Sequence, residues 1–171
     1  MSATPIDSLA SALSALDVPC ERTTPDEFGE TLAEHLRGPA VGVSLDGVDA
    51  SLSRTDVTVD PTPAELDAAH TGVTPASFAI ADYGSVVIPT TETGTELVSL
   101  FVDRHVAVVD EADVVPGMEA AFDRFGDEFR ADAGSGIVAT GPSATADMGA
   151  LVRGAHGPSE VRVIVLEDDD E

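Results

Sequence analysis

The residues best suited to chemistry lie in two polar, glycine-containing stretches late in the chain. Residues 141–147 read Gly-Pro-Ser-Ala-Thr-Ala-Asp, and residues 154–158 read Gly-Ala-His-Gly-Pro. Ser143 or Thr145 can cap a helix after Gly-Pro, and the first N–H groups of such a helix bind anions. His156 lies in a glycine-flanked turn with little packing to do, and an imidazole can exchange a proton near neutral pH.

The elements that would position these stretches form a strand–helix–strand unit. Residues 136–140 and 161–166 are apolar, β-branched runs, and residues 146–152 between them can form a short helix. Such a crossover places its loops at the carboxyl ends of parallel strands, where open α/β sheets usually bind ligands. Asp147 would lie in the first turn of that helix, either contacting a ligand or interacting with the helix dipole.

A third polar stretch, Asp82-Tyr83-Gly84, separates two alternating apolar runs at residues 77–81 and 85–89. A three-residue loop that ends in glycine is typical of a tight antiparallel hairpin. The carboxylate of Asp82 and the imidazole of His156 are the two candidate acid/base groups. We expect their turns to meet at one mouth of the sheet.

The rest of the chain alternates predicted helices and strands, which indicates an α/β fold. Ile6, Leu9, Leu13 and Leu16 have the spacing of an amphipathic first helix. Three signatures that pair a threonine with an acid three residues later predict helix starts, at Thr24, Thr62 and Thr93. Short buried strands are predicted at residues 40–45 and 105–109, and residues 57–59 are a further strand candidate.

A further helix is predicted from its stripe of large apolar side chains. The stripe consists of Val115, Met118, Phe122, Phe125 and Phe129, at spacings of three or four residues. We interpret it as core packing rather than as a cofactor contact.

The charge of the chain is its most unusual compositional feature. There are 32 acidic and 8 basic residues in 171, a net charge of −24, and every basic residue is arginine. Self-repulsion at this density destabilises a compact state in dilute buffer, and molar salt screens it because the Debye length falls to about 3 Å at 1 M. We interpret the composition as adaptation to a salt-filled cytosol, that is, to an extreme halophile.

Composition also excludes several classes of partner. Nucleic acids and anionic membranes both need a basic surface, which this chain lacks. No apolar run approaches the ~18 residues of a membrane-spanning helix, and no export signal is visible, so we expect a cytoplasmic protein. Cys20 is the single cysteine, which rules out a cysteine-held iron–sulfur or zinc cluster.

Four motifs, in this order and spacing, resemble one family. They are Phe-Ala-Ile-Ala-Asp-Tyr-Gly-Ser from Phe78, Ser-Leu-Phe-Val-Asp-Arg-His-Val-Ala-Val-Val from Ser99, Gly-Pro-Ser-Ala-Thr-Ala-Asp from Gly141 and Gly-Ala-His-Gly-Pro from Gly154. Together they are similar to the LUD domain in its lactate utilisation protein C form. We therefore expect a single LUD domain over residues 1–171, with a helix-rich part (1–73), the family core (74–166) and an acidic tail (167–171).

The resemblance implies the fold of the ribose-5-phosphate isomerase, glucosamine-6-phosphate deaminase and CoA-transferase superfamily. That fold is a Rossmann-like, mostly parallel sheet flanked by helices, with an antiparallel hairpin beside it. Family members are associated with the oxidation of lactate to pyruvate, together with iron–sulfur subunits. The resemblance thus implies a cluster-free component, without a metal or cofactor of its own, whose iron–sulfur or flavin groups reside on partner subunits.

Two positions depart from the family pattern. The family usually carries an acid, often glutamate, in the hairpin turn, where this chain has the shorter Asp82. It also commonly carries arginine after the serine of the Gly-Pro-Ser loop, where this chain has Ala144. An arginine there would hold a carboxylate or phosphate through two hydrogen bonds. Arg153 or Arg104 would have to replace it.

The predicted ligand-binding residues follow from the motifs. They are Asp82, Gly84, Ser85, Gly141, Ser143, Thr145, Asp147, His156 and Gly157. The first hypothesis is a non-cluster component of a lactate (or similar 2-hydroxy acid) oxidation assembly that binds a small carboxylate or phosphate. There are two alternatives. One is a stand-alone enzyme acting on a phosphosugar or CoA-thioester, and the other is a catalytically silent binding or regulatory module.

Overall fold

The computed structural model describes residues 3–168, without the side chain of Asp132. Its helices are α1 (Pro5–Ala15), α2 (Phe28–His35), α3 (Pro63–Ala68), α4 (Thr95–Leu100) and α5 (Met118–Asp132). Its strands are β1 (Cys20–Thr23), β2 (Ala40–Gly42), β3 (Val57–Val59), β4 (Thr71–Pro75), β5 (Phe78–Ile80), β6 (Ser85–Pro89), β7 (Arg104–Asp110), β8 (Val114–Val115), β9 (Gly136–Thr140), β10 (Ala144–Asp147), β11 (Ala150–Arg153) and β12 (Glu160–Leu166). From residue 169 onward, the predicted acidic tail lies outside the described residues.

The main sheet has six parallel strands in the order β1-β12-β7-β4-β2-β3. Its central strands are buried on both faces, as their continuous Val- and Ile-rich runs require. On one face α2 covers Val106 and Ile164, and on the other α1 helps to enclose Ala107 and Val163. The predicted α/β fold with a mostly parallel, helix-flanked sheet is confirmed.

A second sheet of four strands, in the order β8-β5-β6-β9, packs beside the first. The predicted hairpin is confirmed: β5 and β6 pair antiparallel, joined by a 3-10 turn at Ala81–Tyr83. Gly84 closes that turn with φ +63°, a left-handed conformation that favours glycine. One face of this sheet joins the core between the sheets, and α5 covers part of the other.

The predicted strand–helix–strand unit over residues 136–166 is wrong. β9 belongs to the second sheet, antiparallel to β6, whereas β12 lies in the main sheet. The segment between them is an antiparallel hairpin, β10–β11, not a helix. Met148 (φ +47°) and Gly149 (φ +81°) form its two-residue turn, a conformation that matches the twist of paired strands and interrupts a helix.

Two of the predicted helix starts are also wrong. The capping box at Thr62 is confirmed, but α2 begins after Glu27 without a side-chain cap, so the signature at Thr24 forms no box. α4 begins at Thr95 and its N-cap, Gly94, has no side-chain cap, so the signature at Thr93 forms no box either. Thr91, which precedes the helix, accepts the Thr95 N–H at 3.2 Å, and Glu96 accepts the Thr91 N–H at 3.2 Å.

The stripe on α5 is only partly core. Phe125 packs edge-on against Phe78, with ring centroids 5.0 Å apart. Phe122 and Phe129 are 67% and 43% exposed, so the prediction that the whole stripe is buried is wrong. No helix within residues 3–168 has the length and apolar character needed to cross a membrane.

Candidate functional site

A pocket of about 220 Å³ lies between the two sheets. Its floor and walls come from β6, α4, β7, β9 and β12, and its mouth from the loops after β9 and before β12. The lining residues are Ile88, Ser99, Leu100, His105, Ile137, Ala139, Thr140, Gly141, Pro142, Ser143, His156, Gly157, Pro158 and Val161. Because His105 and Val161 begin their strands, the pocket is at the amino ends of parallel strands, not at the carboxyl ends we expected.

His105 is the buried polar group of this pocket. Its side chain is 1% exposed, and Nε2 lies 2.8 Å from the hydroxyl of Thr74 on the neighbouring strand β4. Burial lowers the pKa of His105 to about 4, since a charged imidazole is poorly solvated there. The ring is therefore neutral near pH 7. No described residue forms a hydrogen bond with Nδ1.

Two further residues that carry hydroxyl groups line the pocket. Ser99, at the end of α4, is 3% exposed and donates to the Glu96 carbonyl at 2.8 Å. Thr140, at the end of β9, lies 2.7 Å from the hydroxyl of Ser85 on β6. Ser85, a predicted site residue, thus supports a lining residue from behind without lining the pocket itself.

The mouth joins the two stretches that the sequence singled out. The Ser143 N–H donates to the Pro158 carbonyl at 2.9 Å, and the Gly154 N–H donates to the Ser143 carbonyl at 2.9 Å. A side chain at position 157 would place its Cβ 3.1 Å from that of Ser143, so the two loops approach as closely as glycine allows. Gly141, Ser143, His156 and Gly157 are therefore brought together, with His156 exposed at the rim.

The hairpin turn does not meet this mouth. Asp82 is exposed and lies in a separate depression beside Gly117 and Met118. Gly84 is buried against α1, where an added Cβ would come within 3.1 Å of the backbone of Ala12 and Leu13. The expectation that the turns of Asp82 and His156 share one mouth is wrong, because α1 packs on the tip of the hairpin.

Thr145 and Asp147 are also separate from the pocket. Both lie on β10, and Asp147 is exposed, so neither the helix N-terminus nor the helix-dipole role expected for them exists. Neither arginine proposed to compensate for Ala144 lines the pocket. Arg153 lies 3.6 Å from Asp17.

Arg104 projects from the opposite face of the main sheet and holds it to α2. Its guanidinium donates to the carbonyl of His35, at the end of α2, at 2.9 Å, and to the carboxylate of Glu160. The hydrogen bonds from Arg104 are the main reason that the pKa of Glu160 is lowered. This arginine is a buried structural clamp.

The sequence reasoning missed His105, Thr74 and Ser99 as site residues. His105 was assigned to a buried strand, which is correct, but a histidine among valines is a polar group that must find a partner. Its position at the start of the strand, next to a polar loop, is the signal that could have identified it.

Similarity to known proteins agrees with this architecture. A model of the LUD domain matches residues 22–166, most of the chain. The chain belongs to the LUD domain family. A structure with the same fold is a DUF162 family protein from Deinococcus radiodurans, with a TM-score of 0.72 and 19% identity over 95% of this chain and 96% of that one.

Curated relatives of this LUD domain are similar over a shorter segment. "Lactate utilization protein C" of Bacillus subtilis is 30% identical over 112 residues, which are 61% of this chain and 45% of that protein. The protein of the same name from Bacillus velezensis is 29% identical over 112 residues. The matched segment thus spans about half the length of these relatives.

Two other features of this LUD domain bear on its chemistry. Among the side chains that the structure describes, no three from His, Cys, Asp or Glu come close enough to form a metal site. Cys20 opens β1 and packs against the core, and burial raises the pKa of its thiol to about 11. A protonated thiol is a poor nucleophile, so Cys20 has a packing role.

Proposed function

We propose that this LUD-domain protein binds a small 2-hydroxy or 2-oxo acid in the pocket around His105. We further propose that it serves lactate utilisation as a cluster-free component that works with iron–sulfur subunits in the cytoplasm. Membership of the LUD family and similarity to two lactate utilization C proteins support the assignment to this pathway.

The observation that carries the ligand proposal is the neutral, buried imidazole of His105. One ring nitrogen is engaged by Thr74 at 2.8 Å, which orients the ring and leaves Nδ1 for a ligand. The walls around it include the apolar side chains of Ile88, Ile137 and Val161, and a hydrogen bond to a ligand hydroxyl or keto oxygen is stronger in such surroundings than in water.

The size of the pocket favours a small ligand. At about 220 Å³ it is smaller than the ~300–1,000 Å³ of sites for drug-sized molecules. A three-carbon acid would place its 2-oxygen toward His105 and its carboxylate toward the mouth. There, the imidazole of His156 and the hydroxyl of Ser143 are the polar groups within the lining.

The low cysteine content of this chain indicates that the redox step takes place on partner subunits. Oxidation of a 2-hydroxy acid to a 2-oxo acid releases two electrons and two protons, which require an acceptor. A cysteine-held iron–sulfur cluster takes four thiolates, and this chain has one cysteine. We therefore assign the iron–sulfur acceptor to the partners, and ligand binding to this chain.

A stand-alone enzyme for phosphosugars or CoA-thioesters has less support from the site. No arginine is among the described residues of the pocket lining, so a phosphate group would have only histidine as a cationic partner. A catalytically silent binding module would use the same pocket. It would differ from the first proposal in its partner proteins and not in its ligand.

The ligand proposal is tested by calorimetric titration in molar KCl with L-lactate, pyruvate, ribose 5-phosphate and acetyl-CoA. We expect binding of the two small acids only. His105→Gln keeps an atom near Nε2 for Thr74 but removes Nδ1, so it should weaken binding at least tenfold, or about 1.4 kcal/mol.

His35→Gln is the matched control, because His35 contacts Glu21 on the α2 side of the sheet at 2.7 Å and should bind the acids normally. Equal losses in both variants, or preferred binding of the phosphate or thioester, would overturn the ligand proposal. The partner proposal has its own test, co-purification from native extract in molar KCl. Recovery without any iron–sulfur or flavin subunit would contradict it.

A further inference from the structure

Strand β9 forms an open edge of the second sheet. The Thr90 N–H donates to the Ser135 carbonyl at 2.9 Å, so alternate residues 135, 137 and 139 direct their backbone groups to β6. The N–H and C=O groups of Gly136, Val138 and Thr140 therefore point away from the sheet. Within residues 3–168, no other strand pairs with this side of β9.

Large apolar side chains lie beside this open edge. Val138 pairs with Val87, which packs under α5, so Val138 is on the α5 face of the sheet, and it is 47% exposed. On α5, Arg124 projects toward the β5–β8 side, where it contacts Ser77 and Asp113.

Phe122 and Phe129 project on the side of Phe125 opposite to Arg124, because each residue turns the helix by about 100°. They therefore face the β9 side of the helix, and both are exposed. We call Gly136–Thr140, Phe122 and Phe129 the β9 edge surface.

The charge distribution marks the same region. Residues 136–159 contain one acid, Asp147, and one arginine, Arg153, in a chain with 32 acidic residues. A second highly acidic chain is repelled by most of this protein's surface but meets no like charge along β9 itself. An uncovered, flat, apolar edge strand is also a site of uncontrolled association unless something pairs with it.

We propose that the β9 edge surface is the contact between two copies of this chain. Around a two-fold axis that runs between the two copies of Val138, β9 pairs antiparallel with β9 of the second copy. Gly136 then faces Thr140, and up to about six backbone hydrogen bonds form. The second sheets join into one, and the Phe122 and Phe129 side chains of both copies cover the joint.

These features favour a second copy of this chain as the partner. Antiparallel pairing of β9 with itself satisfies the outward-pointing N–H and C=O groups of both copies at once. It also places a strand without charged residues against an equally uncharged one. A partner protein would need its own exposed edge strand.

The test is the molar mass in solution, measured by light scattering on the eluate of a sizing column in about 2 M KCl, where charge repulsion is screened. We expect twice the 17.5 kDa of the chain. Val138→Pro removes an outward-pointing N–H and no hydrogen bond to β6, and edge strands tolerate proline there, so it should give a folded monomer. Phe122→Asp should also give a monomer.

Two variants serve as controls for these changes. Val138→Thr keeps the N–H and the β-branched side chain, and Phe101→Asp places the same acid at a phenylalanine that is 69% exposed on another surface. Both should remain dimeric. A monomeric wild-type chain at every protein concentration, or a dimer that survives both Val138→Pro and Phe122→Asp, would overturn the proposal. Circular dichroism confirms that each variant is folded.

Discussion

A histidine without its charge is the central residue of this LUD domain. His105 is buried beside an apolar pocket. One ring nitrogen of His105 hydrogen-bonds to Thr74, and burial lowers the pKa of the imidazole to about 4. It is thus a neutral hydrogen-bonding group near pH 7, suited to a ligand oxygen rather than to a negative charge. The carboxylate of a ligand would have to remain at the mouth, near His156.

The buried histidine predicts a specific loss of stability in acid. The folded pKa of about 4 is below the ordinary 6.5, so protonation favours the unfolded chain. The neutral form of His105 therefore contributes to the free energy of unfolding. This contribution is fully present above pH 6.5 and is lost as the pH falls from 6.5 toward 4, by about 3 kcal/mol in total. Urea unfolding of wild type and His105→Gln in molar KCl measures it.

The difference in free energy of unfolding between wild type and His105→Gln reports on the histidine alone, because the carboxylates titrate in both proteins. We expect the free energy of unfolding of wild type, relative to the variant, to fall by about 3 kcal/mol between about pH 7 and pH 4. A difference that stays constant across this range would show that His105 is not buried in its neutral form.

Among the secondary-structure elements, the sequence predicted the strands with clear apolar patterns and missed a short hairpin. The parallel strands around His105 and the hairpin at Asp82-Tyr83-Gly84 were predictable from β-branched runs and a glycine turn. The β10–β11 hairpin was not, because its alanine-rich sequence also fits a helix. Its turn is Met148-Gly149, which lacks the usual Asn-Gly signature.

The packing of α4 on β4 gives an element-scale prediction. A Cβ at Gly72 would lie 2.6 Å from the carbonyl oxygen of Val98 and 2.9 Å from Val102, so the helix would have to move. We expect Gly72→Ala to lower the free energy of unfolding by about 1–3 kcal/mol, the usual cost of overpacking. Chemical unfolding measures it.

Gly29 in α2 is the matched position, because nothing lies within 4 Å of its added Cβ and its φ is ordinary. Gly29→Ala should raise the free energy of unfolding by roughly 0.5–1 kcal/mol, since alanine is the better helix former. The same sign for both substitutions would contradict the packing described for α4.

At the scale of the whole molecule, one predicted pair of turns came together and another did not. The loops at Ser143 and His156 were predicted to meet, and backbone hydrogen bonds join them. Asp82 was expected with them, but α1 packs on its turn and separates the two. Local patterns identify loops, whereas the packing of a distant helix decides which loops share a pocket.

The net charge of −24 yields a prediction about salt. Repulsion among carboxylates should lower the stability of the folded chain in dilute buffer and be screened in molar salt. We expect the melting temperature to rise steadily between about 0.1 M and 2 M KCl near pH 7. Near pH 4, where carboxylates begin to protonate, the rise should be smaller. Equal melting temperatures across salt would remove the halophile interpretation.

Binding of lactate beside His105 can be tested with a crystal of the protein grown in molar KCl and soaked with L-lactate. We predict lactate in the pocket between the sheets, with its 2-oxygen about 2.6–3.2 Å from Nδ1 of His105 and its carboxylate toward His156. Lactate bound beside Asp82, or anywhere else while this pocket stays empty, would contradict the account.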